Sequence, residues 1–323
     1  MMKKSQMLGW VLSSSFSFLS HAANQVTVFE DLLYWHASEQ TSSPWAAIEP
    51  DPIPTSGYSY TAPNVYFGWS PGLRVGIEYK PANFFDAKLY GTYFSTKTHA
   101  EVTAPPGQFI LPEFFNSLIA LPETIFVTAG EVGWQLTMNM IDAEIGHQYN
   151  PLDSLAIRPF IGVKGVTINQ SIHSTWQAST DHIHLFSDTE NLKNNFYGVG
   201  PSFGLDSTWH LYKNINILSD VSTALLWGHW NINDTYKRPP GLVGIIPETT
   251  IVSNTKNAML GAFTARYFMG LEWRFQAKAL VTIKAGYEMQ FWSNQLRLPM
   301  VQQVPLHGDL TLQGGTCGII INL

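Results

Sequence analysis

The chain has 323 residues, of which 13% are charged, 45% hydrophobic and 13% aromatic, with a net charge of −6 and a mean hydropathy of −0.02. An ordinary globular domain carries about 25% charged residues, so about half the usual charge is missing from a chain that is not greasy on average. The aromatic content excludes disorder; the single Cys317 excludes an internal disulfide framework; no mature run approaches the roughly 18 apolar residues of a membrane helix; and an acidic chain without a Lys/Arg run is not a nucleic-acid binder.

The N-terminus sets the compartment. Lys3 and Lys4 precede an apolar stretch over 7–19, followed by Ser20, His21, Ala22 and Ala23. This three-part layout predicts a signal peptide over 1–23, cleaved after Ala22 or Ala23, and an exported domain over 24–323. That domain has one cysteine, so it has not used an oxidising compartment for stapling.

Period-2 alternation marks ten segments: 26–37, 71–80, 86–99, 131–149, 154–176, 194–210, 215–235, 256–275, 279–293 and 308–323. In the second of these, Leu73, Val75, Ile77 and Tyr79 oppose Arg74, Gly76, Glu78 and Lys80. In the fourth, Trp134, Leu136 and Met138 share one parity and Ile141, Ala143 and Ile145 the other, which predicts a β-bulge near Met140. In the eighth, Phe263, Ala265, Tyr267, Met269, Leu271 and Trp273 oppose Thr264, Arg266, Glu272 and Arg274. In the ninth, Val281, Ile283, Ala285 and Tyr287 oppose Thr282, Lys284, Gly286 and Glu288. A helix would scatter these charges around every face.

The connectors alternate in length. Short ones fall at 81–85, 150–153, 211–214 and 276–278, and long ones at 38–70, 100–130, 177–193, 236–255 and 294–307. Short turns on one side and long loops on the other are the layout of a transmembrane antiparallel β-barrel, periplasmic turns below and extracellular loops above. The expected fold is therefore all-β, a barrel of about ten strands, or twelve if two more lie within 38–70 or 100–130. The apolar stretch 109–121 suggests a short helix, in a loop read as held against its own rim rather than folded into the mouth. Aromatic residues near strand ends predict an interfacial girdle, with Trp35, Trp134, Trp209, Trp227, Trp230, Trp273 and Trp292 as its tryptophans.

Three stretches resemble the Legionella-type major outer membrane protein family, which has relatives in environmental chlamydiae. The first runs from Asp31 through Tyr34, Trp35 and His36 to Glu39. The second joins Trp134, Asp142, Glu144 and Gly146 to Arg158, Pro159, Phe160, Gly162, Lys164 and Gly165. The third joins Tyr197, Gly198, Gly200 and Pro201 to Leu225, Trp227, Gly228, His229 and Trp230. Gly286, Tyr287 and Glu288, with 308–314, resemble the family's C-terminal end. The resemblance implies a porin-like outer-membrane surface protein inserted by the barrel-assembly machinery. Such barrels usually end in an aromatic residue, whereas Leu323 stands last here.

Assigning the polar parity to the interior gives the expected lumen lining: Arg74, Glu78, Glu144, Arg158, Lys164, Asp206, Asp220, Arg266, Glu272, Arg274, Lys284 and Glu288. The two signs balance, whereas a pore selective for one ion sign calls for an unbalanced ring. About eight strands give a lumen just filled by side chains, and open aqueous pores take about 16 to 18. The expected function is a narrow, weakly selective, porin-like diffusion channel for small solutes or ions; the alternative is a surface-exposed structural or adhesive barrel with a closed, ion-paired lumen. In that alternative, long loops would meet a host or neighbouring surface protein. Outer-membrane lipid surrounds the barrel in both. Glu144 and Arg158 flank one short turn and are expected to pair.

An enzyme requires a nucleophile or activated water, a base and an orienting group. No Gly-x-Ser-x-Gly or His-Glu-x-x-His pattern occurs. His182 and His184, with Asp181 and Asp188, have the makings of a metal site but read more simply as a polar loop. No catalytic residue, cofactor or metal is expected.

Overall fold

The computed structural model describes residues 25–40, 45–50, 61–81, 85–112, 127–180, 183–240, 248–276, 280–297 and 307–323. These form thirteen strands: β1 (Gln25–Glu39), β2 (Ala46–Pro50), β3 (Trp69–Lys80), β4 (Asp86–Thr103), β5 (Gln108–Pro112), β6 (Val127–Gly146), β7 (Tyr149–Leu152), β8 (Leu155–Thr180), β9 (Ile183–Tyr212), β10 (Ile215–Arg238), β11 (Thr249–Gln276), β12 (Leu280–Arg297) and β13 (His307–Asn322). Ten of them close a barrel in the order β6-β4-β3-β1-β13-β12-β11-β10-β9-β8, with β8 returning to β6. Every pairing is antiparallel. Strands β2, β5 and β7 are short additions outside the ring. The expected 1–23 leader lies outside the described residues.

The outer surface has two aromatic bands. Tyr34, Trp69, Tyr93, Tyr197 and Trp227 are exposed towards one end, and Tyr79, Phe85, Tyr149, Trp209, Tyr212 and Trp273 towards the other. Between them the outward side chains are apolar, such as Leu205, Phe203 and Val199 on β9. Tyr197 and Trp209 stand twelve positions apart on β9. At about 3.3 Å per residue and a tilt of about 40°, that spans roughly 30 Å along the membrane normal. The short turns lie beyond the second band. Beyond the first, β8–β11 continue as hairpins, so stretches expected as loops at 177–193 and 236–255 are largely strand.

The bulge expected near Met140 is absent. Pairing of β6 with β4 runs unbroken from Thr103↔Ala129 to Asp86↔Gly146, and with β8 it shifts only between Val127 and Ala129. Trp134, Leu136, Met138, Met140, Asp142 and Glu144 all face inward. What inverts at Met140 is the environment. Below it the interior is charged and the exterior meets lipid, at Ile141 and Ile145. Above it the interior is apolar and the exterior polar, at Gln135 and Asn139.

The helix expected within 109–121 is replaced over its described part by strand β5, which pairs with β2 from Pro112↔Ala46 to Gln108↔Pro50. The remainder, 113–121, lies outside the described residues. Trp45, beside β2, packs on the inward Trp176 with ring centroids 5.2 Å apart, and Phe67 packs on Trp134 at 5.4 Å. The described loop segments are thus folded into the mouth rather than against the rim.

Candidate functional site: the barrel lumen

Strand alternation delivers the charged parity of the lower barrel to the interior, where register decides who meets whom. Arg74 stands directly opposite Asp31, Lys164 opposite Asp142, and Arg158 opposite Asp206. Two ionic knots result. In the first, Arg74 holds Glu288 through two bonds, Nη2 to Oε1 at 2.7 Å and Nη1 to Oε2 at 2.9 Å. Arg266 Nε donates to the same Glu288 Oε1 at 2.8 Å. Asp31 joins through Arg74 at 3.4 Å and Lys284 at 3.0 Å. In the second, Arg158 donates from Nε to Asp86 at 2.7 Å and from Nη1 to Glu144 at 3.1 Å and Asp206 at 2.9 Å. Tyr90 adds a hydroxyl bond to Glu144 at 2.8 Å, and Lys164 pairs with Asp142.

All twelve residues expected in the lining lie on the inward parity. Arg74, Glu144, Arg158, Lys164, Glu272 and Glu288 are buried, whereas Arg274 reaches solvent at the periplasmic mouth, where it pairs with Glu272. Asp220 lies 3.8 Å from Arg266, and Glu78 3.0 Å from Lys80. Sequence reasoning missed Asp31, Asp86 and Asp142, and also Lys88. The same alternation marks Asp142, two positions before Glu144 and on its parity.

Gly146 shows how tightly the second knot is built. The Arg158 guanidinium lies over it, so a Cβ there would stand 2.7 Å from Nε. Gly146→Val is expected to destabilise the barrel by about 1–3 kcal/mol through overpacking, read in a urea titration of the refolded protein. An unchanged midpoint would show that the guanidinium has room to move.

Below the knots, a polar cavity of about 400 Å³ opens at the periplasmic end, lined by Glu78, Lys88, Asp220, Arg274 and Lys284 among others. Above them, among the described residues, the inward side chains are large, apolar and packed on one another. Six tryptophans (Trp35, Trp45, Trp134, Trp176, Trp230 and Trp292) are at most 1% exposed, packed with Phe94, Phe196, Leu296 and Leu310. Phe196 and Trp230 approach to 4.2 Å, with the Arg297 guanidinium 4.2 Å above the Trp230 ring. Three of the six indole N–H groups have acceptors, Trp35 on Thr316 Oγ1 at 3.4 Å, Trp134 on Gln170 at 3.1 Å and Trp292 on Gln290 at 3.2 Å, whereas those of Trp45, Trp176 and Trp230 are buried without one among the described residues. Trp35, Trp134, Trp230 and Trp292, expected in the girdle, therefore belong to this plug. A tryptophan near a strand end serves either role, and its parity decides which. Trp209, Trp227 and Trp273 face outward, 55%, 73% and 56% exposed.

Above the lipid-facing bands, buried acids line the outer hairpins and the outer end of β1. Burial raises Asp188 and Asp234 from 3.8 to about 6, and Glu39 from 4.5 to about 8, the last helped by Asp309. Tyr236 donates to Asp188 at 2.8 Å, with Arg238 nearby, and Glu190 bonds Asp234. A folded-state value raised above the unfolded one gives stability that is full below the ordinary carboxylate range and is lost as pH rises through the folded value. Amide-exchange protection is therefore expected to fall between about pH 4 and 6 in the outer hairpins, through Asp188 and Asp234, and between about pH 4 and 8 at the outer end of β1, through Glu39, and Asp188→Asn with Asp234→Asn should flatten the loss in the hairpins. Protection that grows on raising pH would contradict this.

Of the histidine pair weighed as a metal site, Asp181 and His182 lie outside the described residues, as does the side chain of His184; Asp188 is buried as above.

A family model described as the Legionella pneumophila major outer membrane protein precursor matches residues 19–322. No curated protein matches the chain. Among solved structures, the outer membrane protease OmpT from Escherichia coli is 11% identical with a TM-score of 0.48, covering 96% of this chain and 100% of its own. The CymD monoaromatic hydrocarbon channel is 10% identical at 0.36, covering 94% and 89%. A Pseudomonas aeruginosa FadL homologue is 10% identical at 0.22, covering 93% and 89%. Likeness at these values says nothing of activity.

Proposed function

The chain belongs to the family described as the Legionella pneumophila major outer membrane protein precursor, and from that premise we propose that this outer-membrane β-barrel is a surface-exposed structural protein with a closed lumen. The leader at 1–23 would direct export, and the barrel-assembly machinery would insert the single domain at 24–323. One observation carries the reading: six buried tryptophans stack over two ion-paired knots in which each guanidinium and carboxylate has a partner. An ion crossing this layer would have to replace bonds already made, and then pass a layer of buried indole rings. The outer hairpins are the part offered to a host or neighbouring surface protein. We assign these residues no catalytic role, cofactor or nucleic-acid partner.

A planar-bilayer recording tests the proposal. Purified, folded protein is expected to insert without stepwise conductance. Regular steps would overturn the closed lumen and favour the second reading, a narrow, weakly selective channel for small solutes or ions. The periplasmic cavity of about 400 Å³ speaks for that reading, since it would serve as the inner vestibule. The family resemblance points the same way.

A further inference from the structure

On the outer wall above the lipid-facing bands, β4 and β6 bring together three ligand-type side chains: His99, Glu101 and Glu131. All three are exposed, and their ligand atoms lie within 4.8 Å of one another. His99 is six positions beyond the band residue Tyr93 on β4, so the group stands in water rather than lipid.

The register makes the arrangement specific. Glu101 pairs directly with Glu131, two carboxylates facing each other across the ladder. Like charges so placed destabilise a sheet. The base that contacts this pair is the His99 imidazole, Nε2 to Glu101 Oε1 at 3.1 Å, rather than a lysine or arginine. In the adjacent row, His99 pairs with Gly133, which in turn pairs with His173 of β8. A Cβ built on Gly133 would meet nothing nearer than the His173 carbonyl oxygen at 4.0 Å, so the glycine leaves a gap beside the three ligands. His173 stands on the far side of that glycine, and its Nδ1 lies 2.8 Å from Asn191 Oδ1 of β9.

We propose that His99, Glu101 and Glu131 form an extracellular binding site for a divalent transition-metal ion, with zinc as its representative. One imidazole nitrogen and two carboxylates are a donor set that zinc accepts, with water or a further imidazole completing four-coordination. Calcium and magnesium prefer oxygen donors alone. A cation between the carboxylates also resolves the repulsion that the register imposes. The site lies on the outside of the wall and is independent of whether the lumen is open.

The test is calorimetric titration of zinc chloride into the refolded full-length barrel in detergent micelles, alongside its variants. One zinc per chain with micromolar affinity is expected, weakened at least about tenfold by His99→Ala and by Glu131→Gln. The double variant His182→Ala/His184→Ala should bind as the parent does. Glu131→Gln removes a like-charge contact, so without metal it should be at least as stable as the parent, while saturating zinc should stabilise only the parent. Heat-modifiable migration on a gel verifies that each variant is folded. The proposal falls if saturable zinc binding is absent from the parent. It falls equally if binding survives His99→Ala and Glu131→Gln, if it is lost in the His182→Ala/His184→Ala variant, or if calcium binds more tightly than zinc.

Discussion

Arg158→Ala is expected to lower the unfolding free energy of the barrel by about 3–5 kcal/mol, the effect of stripping one partner from a buried charge network. The guanidinium holds Asp86, Glu144 and Asp206 at once, and it is 6% exposed. Without it three carboxylates face one another, two of them buried, with Lys88 the nearest base by register, directly opposite Glu144. Urea titration in lipid vesicles, followed by tryptophan fluorescence, reads the loss. Arg158→Lys should recover only part of it, because an ammonium supplies a charge without the fork that reaches three acceptors. Equal stability of the alanine variant and the parent would mean that the acids take up protons or water at little cost. In a bilayer, the same variant should leave conductance absent if the tryptophan layer is the seal, and would change the steps if Arg158 lined a path.

Trp230→Ala is expected to remove a further about 3–5 kcal/mol by a different route, the void left by a large buried ring. Trp230 is fully buried, with Phe196 on one side and the Arg297 guanidinium on the other. Neighbouring Gly198 and Gly228 give the Phe196 ring its space, since a Cβ on Gly228 would stand on that ring. So the pocket has a fixed shape and little means of collapse. The companion change Trp227→Ala, three positions away and facing outward, should lose far less. A Trp230→Ala loss no larger than that of Trp227→Ala would show that the plug is loosely packed.

The ten barrel strands are legible in the sequence because alternation survives wherever two different media touch one strand. Strand ends were less legible. The hairpins of β8–β11 continue above the membrane with both faces partly polar, as Asn191 and Asn233 outside and Asn194 and Asp234 inside illustrate, and a polar stretch reads as loop. The misread bulge at Met140 has the same root. Alternation states that two faces differ but not which face is inside, and the sign reverses where lipid gives way to water. The four misplaced tryptophans follow directly, since an indole at a strand end satisfies an interface from either side. The lining charges were recoverable because an unpaired charge has no place on the lipid face. The contacts among them, such as Arg74 reaching Glu288 across the lumen, depend on closure and register, which no local pattern carries.

The reversal at Met140 also works as a depth gauge. A strand whose outward residues were apolar along its whole length could slide along the membrane normal at small cost. Here a rise would lift Ile141 and Ile145 into water, and a descent would draw Asn139 and Gln135 into hydrocarbon. Both displacements meet opposition within one pair of residues, so the chain carries its own vertical coordinate. That coordinate holds the His99 and Glu131 group at a set height above the lipid, whatever loops are attached beyond it.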